Sequence, residues 1–316
     1  MARIPLSGTQ YTLRAGDDEA VIASVGASLR SFRHADRDLV VPFDADVVRP
    51  AYRGATLAPW PNRIVDGRYE FAGVEYQTAI TEPGRGHALH GLVAWLDFEA
   101  IDRGASHVTL AATIEAQTGY PWRVRVEVRY ELGGAGLAQT VTAINESAEA
   151  APFGTGPHPY LVAGSSPLDE WTLELPAATV LEVTPDRLSP VATASVTSDA
   201  DRFDFRAPRV LGAVEIDHAF TDLTRDGAGV ATVRVTDAAA GTGVQLTWDA
   251  ACPWVQVHTA DQPGGPGTPG HRAGLAVEPM TCAPDAFNAA RYDYEAGLRV
   301  IAPGEQVSAS WSISAL

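Results

Sequence analysis

Apolar residues along this chain recur at every second position far more often than at helical spacing. Segments 108–114, 122–130, 137–144, 232–236, 244–248 and 307–313 all alternate in this way. In 122–130, Trp122, Val124, Val126, Val128 and Tyr130 fall on one face, and Arg123, Arg125, Glu127 and Arg129 on the other. Successive side chains of a strand point to opposite sides, so the pattern predicts antiparallel strands with one face in a core and one in water. Turn signals stand between the strands: Asp66-Gly67, Gly133-Gly134, Asp226-Gly227 and Gly241-Thr242-Gly243. Strands do not alternate with long amphipathic helices, which argues against a doubly wound α/β sheet. The expected fold is all-β, a large antiparallel β-sandwich.

The chain has 316 residues, 46% of them apolar and 20% charged, a globular balance with enough apolar chain for a large core. We expect one domain over 1–316, since no charge run or low-complexity tract divides the chain. The Pro- and Gly-rich stretch 261–274 is expected to be a surface loop beside a site, because too little chain follows it to make a domain. A formal net charge of −16 repels phosphate backbones and gives anionic membranes nothing to attract, so neither nucleic acid nor membrane is an expected partner. No apolar run approaches membrane-spanning length, and the first residues hold no signal core. Two cysteines, Cys252 and Cys282, are too few for a disulfide scaffold. These features predict a soluble cytoplasmic protein with reduced thiols.

Chemistry concentrates in short segments beside Gly or Pro. In 58–64, two prolines bracket Trp60 and hold the chain extended ahead of Arg63. A flat apolar ring and a fork of donors suit the C–H face and hydroxyl edge of a sugar; the rival reading is a packed structural Trp. His87 and His90 have His-x-x-His spacing, but on a strand or loop they point to opposite faces, and no third ligand stands at a zinc spacing, so no metal is expected. His158 lies between Pro157 and Pro159, which fix its backbone direction. Glu278 follows apolar residues and precedes Pro279, so it should emerge at the end of a buried strand, where a carboxylate is costly unless it is paired or functional. A histidine with a carboxylate is the minimal kit for general acid and base chemistry.

Taken in order, segments 58–64, 89–91, 156–160, 216–220 and 277–282 resemble the aldose 1-epimerase (galactose mutarotase) family. The resemblance spans roughly residues 20–315. It implies a β-supersandwich with an open sugar cleft, working without metal or cofactor on a small monosaccharide, as a monomer or weak homodimer. By position it makes His158 the general acid, Glu278 the general base, and Arg63, His90 and Asp217 substrate ligands; Trp60 and Tyr160, in the same motifs, join them as candidate substrate contacts. The reaction implied is interconversion of α and β anomers by ring opening and closure. The stretch after His90-Gly91 lacks the arginine of phosphosugar relatives. Its Leu92-Val93 form also looks like relatives that handle sulfonated sugars, for which Arg63 or Arg85 would meet the anion. Two further readings stay open: a glycoside-cleaving or lyase enzyme, for which a hydrolase would have Glu278 and Asp217 as its only plausible carboxylate pair, and a non-catalytic sugar-binding protein, which has no need of both His158 and Glu278.

Overall fold

The computed structural model describes residues 3–316. Two large antiparallel sheets dominate it. One has nine strands, in spatial order Glu99–Arg103, His107–Ile114, Val124–Gly133, Gly136–Asn145, Gln306–Ala315, Thr242–Trp248, Ala231–Asp237, Thr172–Glu174 and Arg209–Val210. The other has six: Tyr160–Leu161, Leu275–Met280, Trp254–His258, Asp217–Leu223, Ala177–Val183 and Pro190–Ser195. A four-stranded antiparallel sheet, beginning Gln10–Ala15 and Asp18–Ala23, packs at the N-terminal end. Among the described residues the single α-helical piece is Ala200–Phe203, and no helix is long and apolar enough to cross a membrane.

The period-two segments form the strands they predict. Along Val124–Gly133 the residues Val124, Val126, Val128, Tyr130 and Leu132 are buried, while Arg125 pairs with Glu127 on the outer face at 2.8 Å. The Gly133-Gly134 signal closes the tight hairpin to Gly136–Asn145, with Gly133 opposite Gly136. The inner faces of both large sheets merge into one apolar cluster, to which Val128, Val141 and Leu246 come from the nine-stranded sheet and Phe220, Val257 and Val277 from the six-stranded one. Tyr130 ties the N-terminal sheet to this core by donating to the Ala27 carbonyl at 2.8 Å. Cys252 and Cys282 are both buried and free.

The six-stranded sheet positions the chemistry. Its register sets Asp217 opposite His258, Gln256 opposite Glu278, and Tyr160 opposite Ala276. Directly opposed residues share a face, as do residues two apart on one strand. Tyr160, Asp217, Gln256, His258 and Glu278 therefore lie on the face turned away from the apolar cluster. Ala219 and Ala276 stand among them and leave room above the sheet.

The alternation makes a stability prediction. Leu246 is fully buried and Thr247 looks outward. Leu246→Ala should lower unfolding free energy by about 2–5 kcal/mol, and Thr247→Ala by less than about 1. Urea unfolding midpoints of the two variants measure the difference.

Candidate active site

Above that face lies a cavity of about 310 Å³. Its walls include Arg63, His90, His158, Tyr160, Asp217 and Glu278, which the sequence offers as site residues, together with Tyr52, Asn62, Arg85, Gln256 and His258. Asp261, Gln262 and Pro263, the start of the Pro- and Gly-rich loop, form part of its rim. Arg272 holds that loop down, donating to Asp169, Asp261 and the carbonyls of Val214 and Gly212.

His158 sits between the short strands Gly156–Pro157 and Tyr160–Leu161. Its N–H donates to the Ala55 carbonyl at 3.1 Å, and its own carbonyl accepts from Gly54 N–H at 2.8 Å. Gly54 must be glycine: its φ is +66°, and a Cβ there would lie 2.0 Å from the Leu29 carbonyl oxygen. The imidazole is thus aimed by backbone bonds as well as by two prolines. Nε2 of His158 lies 3.5 Å from Oε1 of Glu278. Glu278 stands within the strand Leu275–Met280, one residue before Pro279, rather than at its end.

His90 occupies a left-handed backbone conformation, φ +61°, fixed by its N–H bond of 2.7 Å to the Asn62 carbonyl. Ala51, Tyr52 and Asn62 also have positive φ, so four non-glycine residues of the cavity wall are held in sparsely populated conformations. Gly91 follows at φ +72°, and a Cβ there would meet the Ala58 oxygen at 2.1 Å. The rings of Tyr52, His90, His158 and Tyr160 pack into one aromatic wall, with neighbouring centroids 4.6 to 5.2 Å apart from Tyr52 to His90, His90 to His158 and His158 to Tyr160.

Arg63 is buried and bidentate on Glu82, at 2.7 and 3.0 Å, and Arg85 takes the same carboxylate at 2.8 Å. Neither guanidinium is an isolated cation. Burial opposes charge on Glu82, but the bonds from Arg63 and Arg85 prevail and hold its carboxyl below the ordinary value. Asp217 accepts the Gln256 amide at 2.7 Å. Burial works against its ionisation too, yet His258, Arg63 and Gln256 keep it an anion. Glu278 shows the reverse. Burial, reinforced by the Asp217 charge, pushes its carboxyl well above the usual range against the pull of Arg63. Burial lowers His158 to about 3, helped by His258, and drives His90 down as well. Burial thus favours the neutral form of both members of the His158–Glu278 pair.

Trp60 departs from its expected role. It is 2% exposed, part of the apolar core, 5.7 Å from Phe287 by ring centroids, with Nε1 donating to the Ala88 carbonyl. It braces the turn that presents Asn62 and Arg63, because the ring is large enough to pay for its burial by packing while its one N–H finds a carbonyl. His87 points away from His90: its Nδ1 accepts from Asp66 N–H and its Nε2 donates to the Arg187 carbonyl. Among the described residues no group of three or more His, Cys, Asp or Glu side chains has the geometry to hold a metal ion. Gln256 and His258 were not singled out from the sequence. The signal was available: a Gln and a His two apart interrupt the apolar strand Trp254–His258.

Six cavity-lining side chains present a buried polar atom with no protein partner: Arg85 Nε, His90 Nδ1, His158 Nδ1, Gln256 Oε1, His258 Nδ1 and Glu278 Oε2. Buried polar groups are nearly always satisfied, so their convergence on one space marks a site for a ligand rich in donors and acceptors.

Fold and site together define a β-sandwich with a buried histidine–carboxylate pair at the base of a polar cleft. The sequence profile of the aldose 1-epimerase family matches residues 9–314, and the chain belongs to that family. It is 35% identical over 283 residues to YihR, an uncharacterised protein of Escherichia coli K12, covering 89% of this chain and 87% of YihR. A putative aldose 1-epimerase from Escherichia coli K12 superposes with a TM-score of 0.81 at 21% identity, over 98% of this chain and 99% of that one. A GalM/aldose epimerase homologue from C. elegans gives 0.82 at 21% identity, over 98% of each chain. At these identities the two structures speak for the fold.

The Arg63–Glu82–Arg85 cluster carries the prediction here. Glu82→Ala strands a buried guanidinium that keeps only its bond to Asn62 Oδ1 at 3.2 Å. We expect a loss of about 3 kcal/mol in unfolding free energy, read by denaturant titration. Glu82→Gln, which can still accept one bond, should lose distinctly less.

Proposed function

We propose that the protein is an aldose mutarotase, interconverting the α and β anomers of a free sugar. The observation that carries this reading is the His158–Glu278 contact, 3.5 Å from Nε2 to Oε1, set among unpartnered polar atoms. A pyranose has the matching chemistry: hydroxyls to satisfy those atoms, and at one edge a C1 hydroxyl beside the ring oxygen. Sugar hydroxyls donating to Glu278 Oε2 favour its charged form, so binding moves the proton across to His158. Glu278 then takes the proton of the C1 hydroxyl, the C1 carbonyl forms, the bond from C1 to the ring oxygen breaks, and His158 protonates that oxygen. Rotation about C1–C2 and the reverse transfers close the ring on the other face. Arg63, fixed by Glu82, and Asp217, fixed by Gln256, hold the remaining hydroxyls. The step is neither a redox reaction nor a hydrolysis, so bond order and proton count balance within the sugar and the pair.

Polarimetry on freshly dissolved single-anomer sugars tests the reading, with the spontaneous rate subtracted. Glu278→Gln and His158→Asn should each lower kcat by on the order of 10²-fold or more, with melting temperature retained. Arg63→Ala should raise KM as well. Near-wild-type turnover by Glu278→Gln at saturating sugar would return the protein to the class of sugar binders. Release of monosaccharide from a disaccharide would make it a hydrolase using Glu278 and Asp217.

The pH profile gives a separate check. The active form of the free enzyme is the singly protonated pair. It is lost on the acid side when His158 gains a second proton, near 3, and on the alkaline side when Glu278 gives up its raised proton. The plateau of kcat/KM should therefore run through the ordinary histidine value of 6.5 without inflection. A limb at that pH would show that His158 titrates as an exposed histidine does.

A further inference from the structure

The strand Trp254–His258 packs Trp254, Val255 and Val257 in apolar clusters and carries two polar side chains, Gln256 and His258. Gln256 has a partner, since its amide donates to Asp217. His258 keeps a buried Nδ1 with none. A valine, as at 255 and 257, would serve a purely structural position here. An imidazole leaves a buried polar atom unsatisfied and so points to a ligand.

The register places His258 in a grid of side chains on the sheet face. One row runs Glu278, Gln256, Ala219, and the next Tyr160, Ala276, His258, Asp217. Neighbouring strands lie about 4.8 Å apart and residues two apart on a strand about 6.7 Å, so the diagonal step from Glu278 to His258 is about 8 Å between backbones. One pyranose and the two side chains span that step. With C1 and the ring oxygen at Glu278 and His158, the opposite edge of the sugar meets His258 and Asp217. Ala219 and Ala276 leave the floor between them open. The Tyr160 ring, edge-on to His258 with centroids 6.4 Å apart, stands across Ala276 and limits rotation of the imidazole.

Nδ1 of His258 lies 4.0 Å from Oδ1 of Asp217. That is too far for a hydrogen bond and too near for more than one atom between them. One hydroxyl oxygen about 2.8 Å from both would meet them at roughly a right angle, close to the spread of a hydroxyl's own donor and acceptor directions. Asp217 is kept an anion against its burial by His258, Arg63 and Gln256, so it can only accept. The hydroxyl therefore donates to Asp217 and accepts from the imidazole N–H at Nδ1.

We propose that His258 determines specificity: with Asp217 it clamps one hydroxyl on the sugar edge opposite C1, so that sugars are selected by the presence and orientation of that hydroxyl. The proposal rests on the mutarotase reading. Polarimetry on glucose, galactose and their 3-, 4- and 6-deoxy analogues tests it, with the wild type and with His258→Phe, which keeps a planar ring beside Tyr160 and removes the N–H. The wild type should turn over one deoxy analogue with kcat/KM about tenfold or more below its parent sugar. His258→Phe should raise KM for the parent about tenfold and change kcat less than about twofold, because the contact is remote from the reacting bonds. For that one analogue the substitution should change nothing, while the other analogues lose as the parent does. An equal loss on every analogue, a fall in kcat alone, or a variant indistinguishable from the wild type overturns the clamp; sugars are still accelerated in each case, and the mutarotase reading stands. If the wild type accelerates no sugar, the mutarotase reading fails and takes the clamp with it.

Discussion

The site depends on the register of three neighbouring strands. Asp217 opposite His258, and Gln256 opposite Glu278, place two carboxylates, an amide and an imidazole on one face of the six-stranded sheet. Side chains alternate with a period of two, so a slip of one residue on the central strand would exchange Gln256 and His258 for Val255 and Val257. The apolar residues of these strands prevent the slip. Phe220, Val255, Val257, Leu275 and Val277 belong to the core cluster on the other face, and each would have to leave it. The hydrophobic effect thus sets the position of the polar groups, although none of them contributes to it.

The same register divides the electrostatics. Glu278 and Asp217 share a cavity and a sheet face, yet burial raises one carboxyl while partners hold the other below its ordinary value. Asp217 has the Gln256 amide and a place beside His258. Glu278 is 2% exposed, with one oxygen unpartnered and the other 3.5 Å from a histidine that burial keeps neutral. Arg63 would favour a charged Glu278, but its guanidinium is committed to Glu82. In that balance burial and the Asp217 charge outweigh Arg63, so the Glu278 carboxyl holds its proton more tightly than an ordinary carboxyl does.

Much of this was legible in the sequence, for identifiable reasons. Period-two alternation survives because one face of each long strand is wet, so Arg125 and Glu127 mark the outside as plainly as Val126 marks the inside. His158, His90 and Arg63 stand out because prolines and glycines flank them, and the structure shows why those neighbours are needed: Gly54 and Gly91 each pass within contact distance of another segment's backbone. Trp60 was misread because an aromatic ring between prolines looks alike whether it faces a ligand or a core. Glu82 is an ordinary acidic residue until the fold lays it across two guanidiniums 19 and 3 residues away. Protonation was the least legible feature. Side-chain identity gives His158 an ordinary histidine value, and only three-dimensional burial moves the imidazole down and the Glu278 carboxyl up.

Rigidity and reactivity are joined at the aromatic wall. In the proposed reaction His158 receives and delivers a proton across 3.5 Å, so its imidazole cannot be allowed to swing, because transfer falls off sharply with misplacement. His158 is held by stacking on Tyr160, by the edge of His90, and by backbone bonds to 54 and 55. Those supports occupy the ring faces and leave Nδ1 and Nε2 as its only free functions. The strained φ values at Tyr52, Asn62 and His90 follow from the same demand. Three loops must bring side chains to one point from different directions, and the backbone takes up the mismatch where core packing and the close approaches of Gly54 and Gly91 leave it no other conformation.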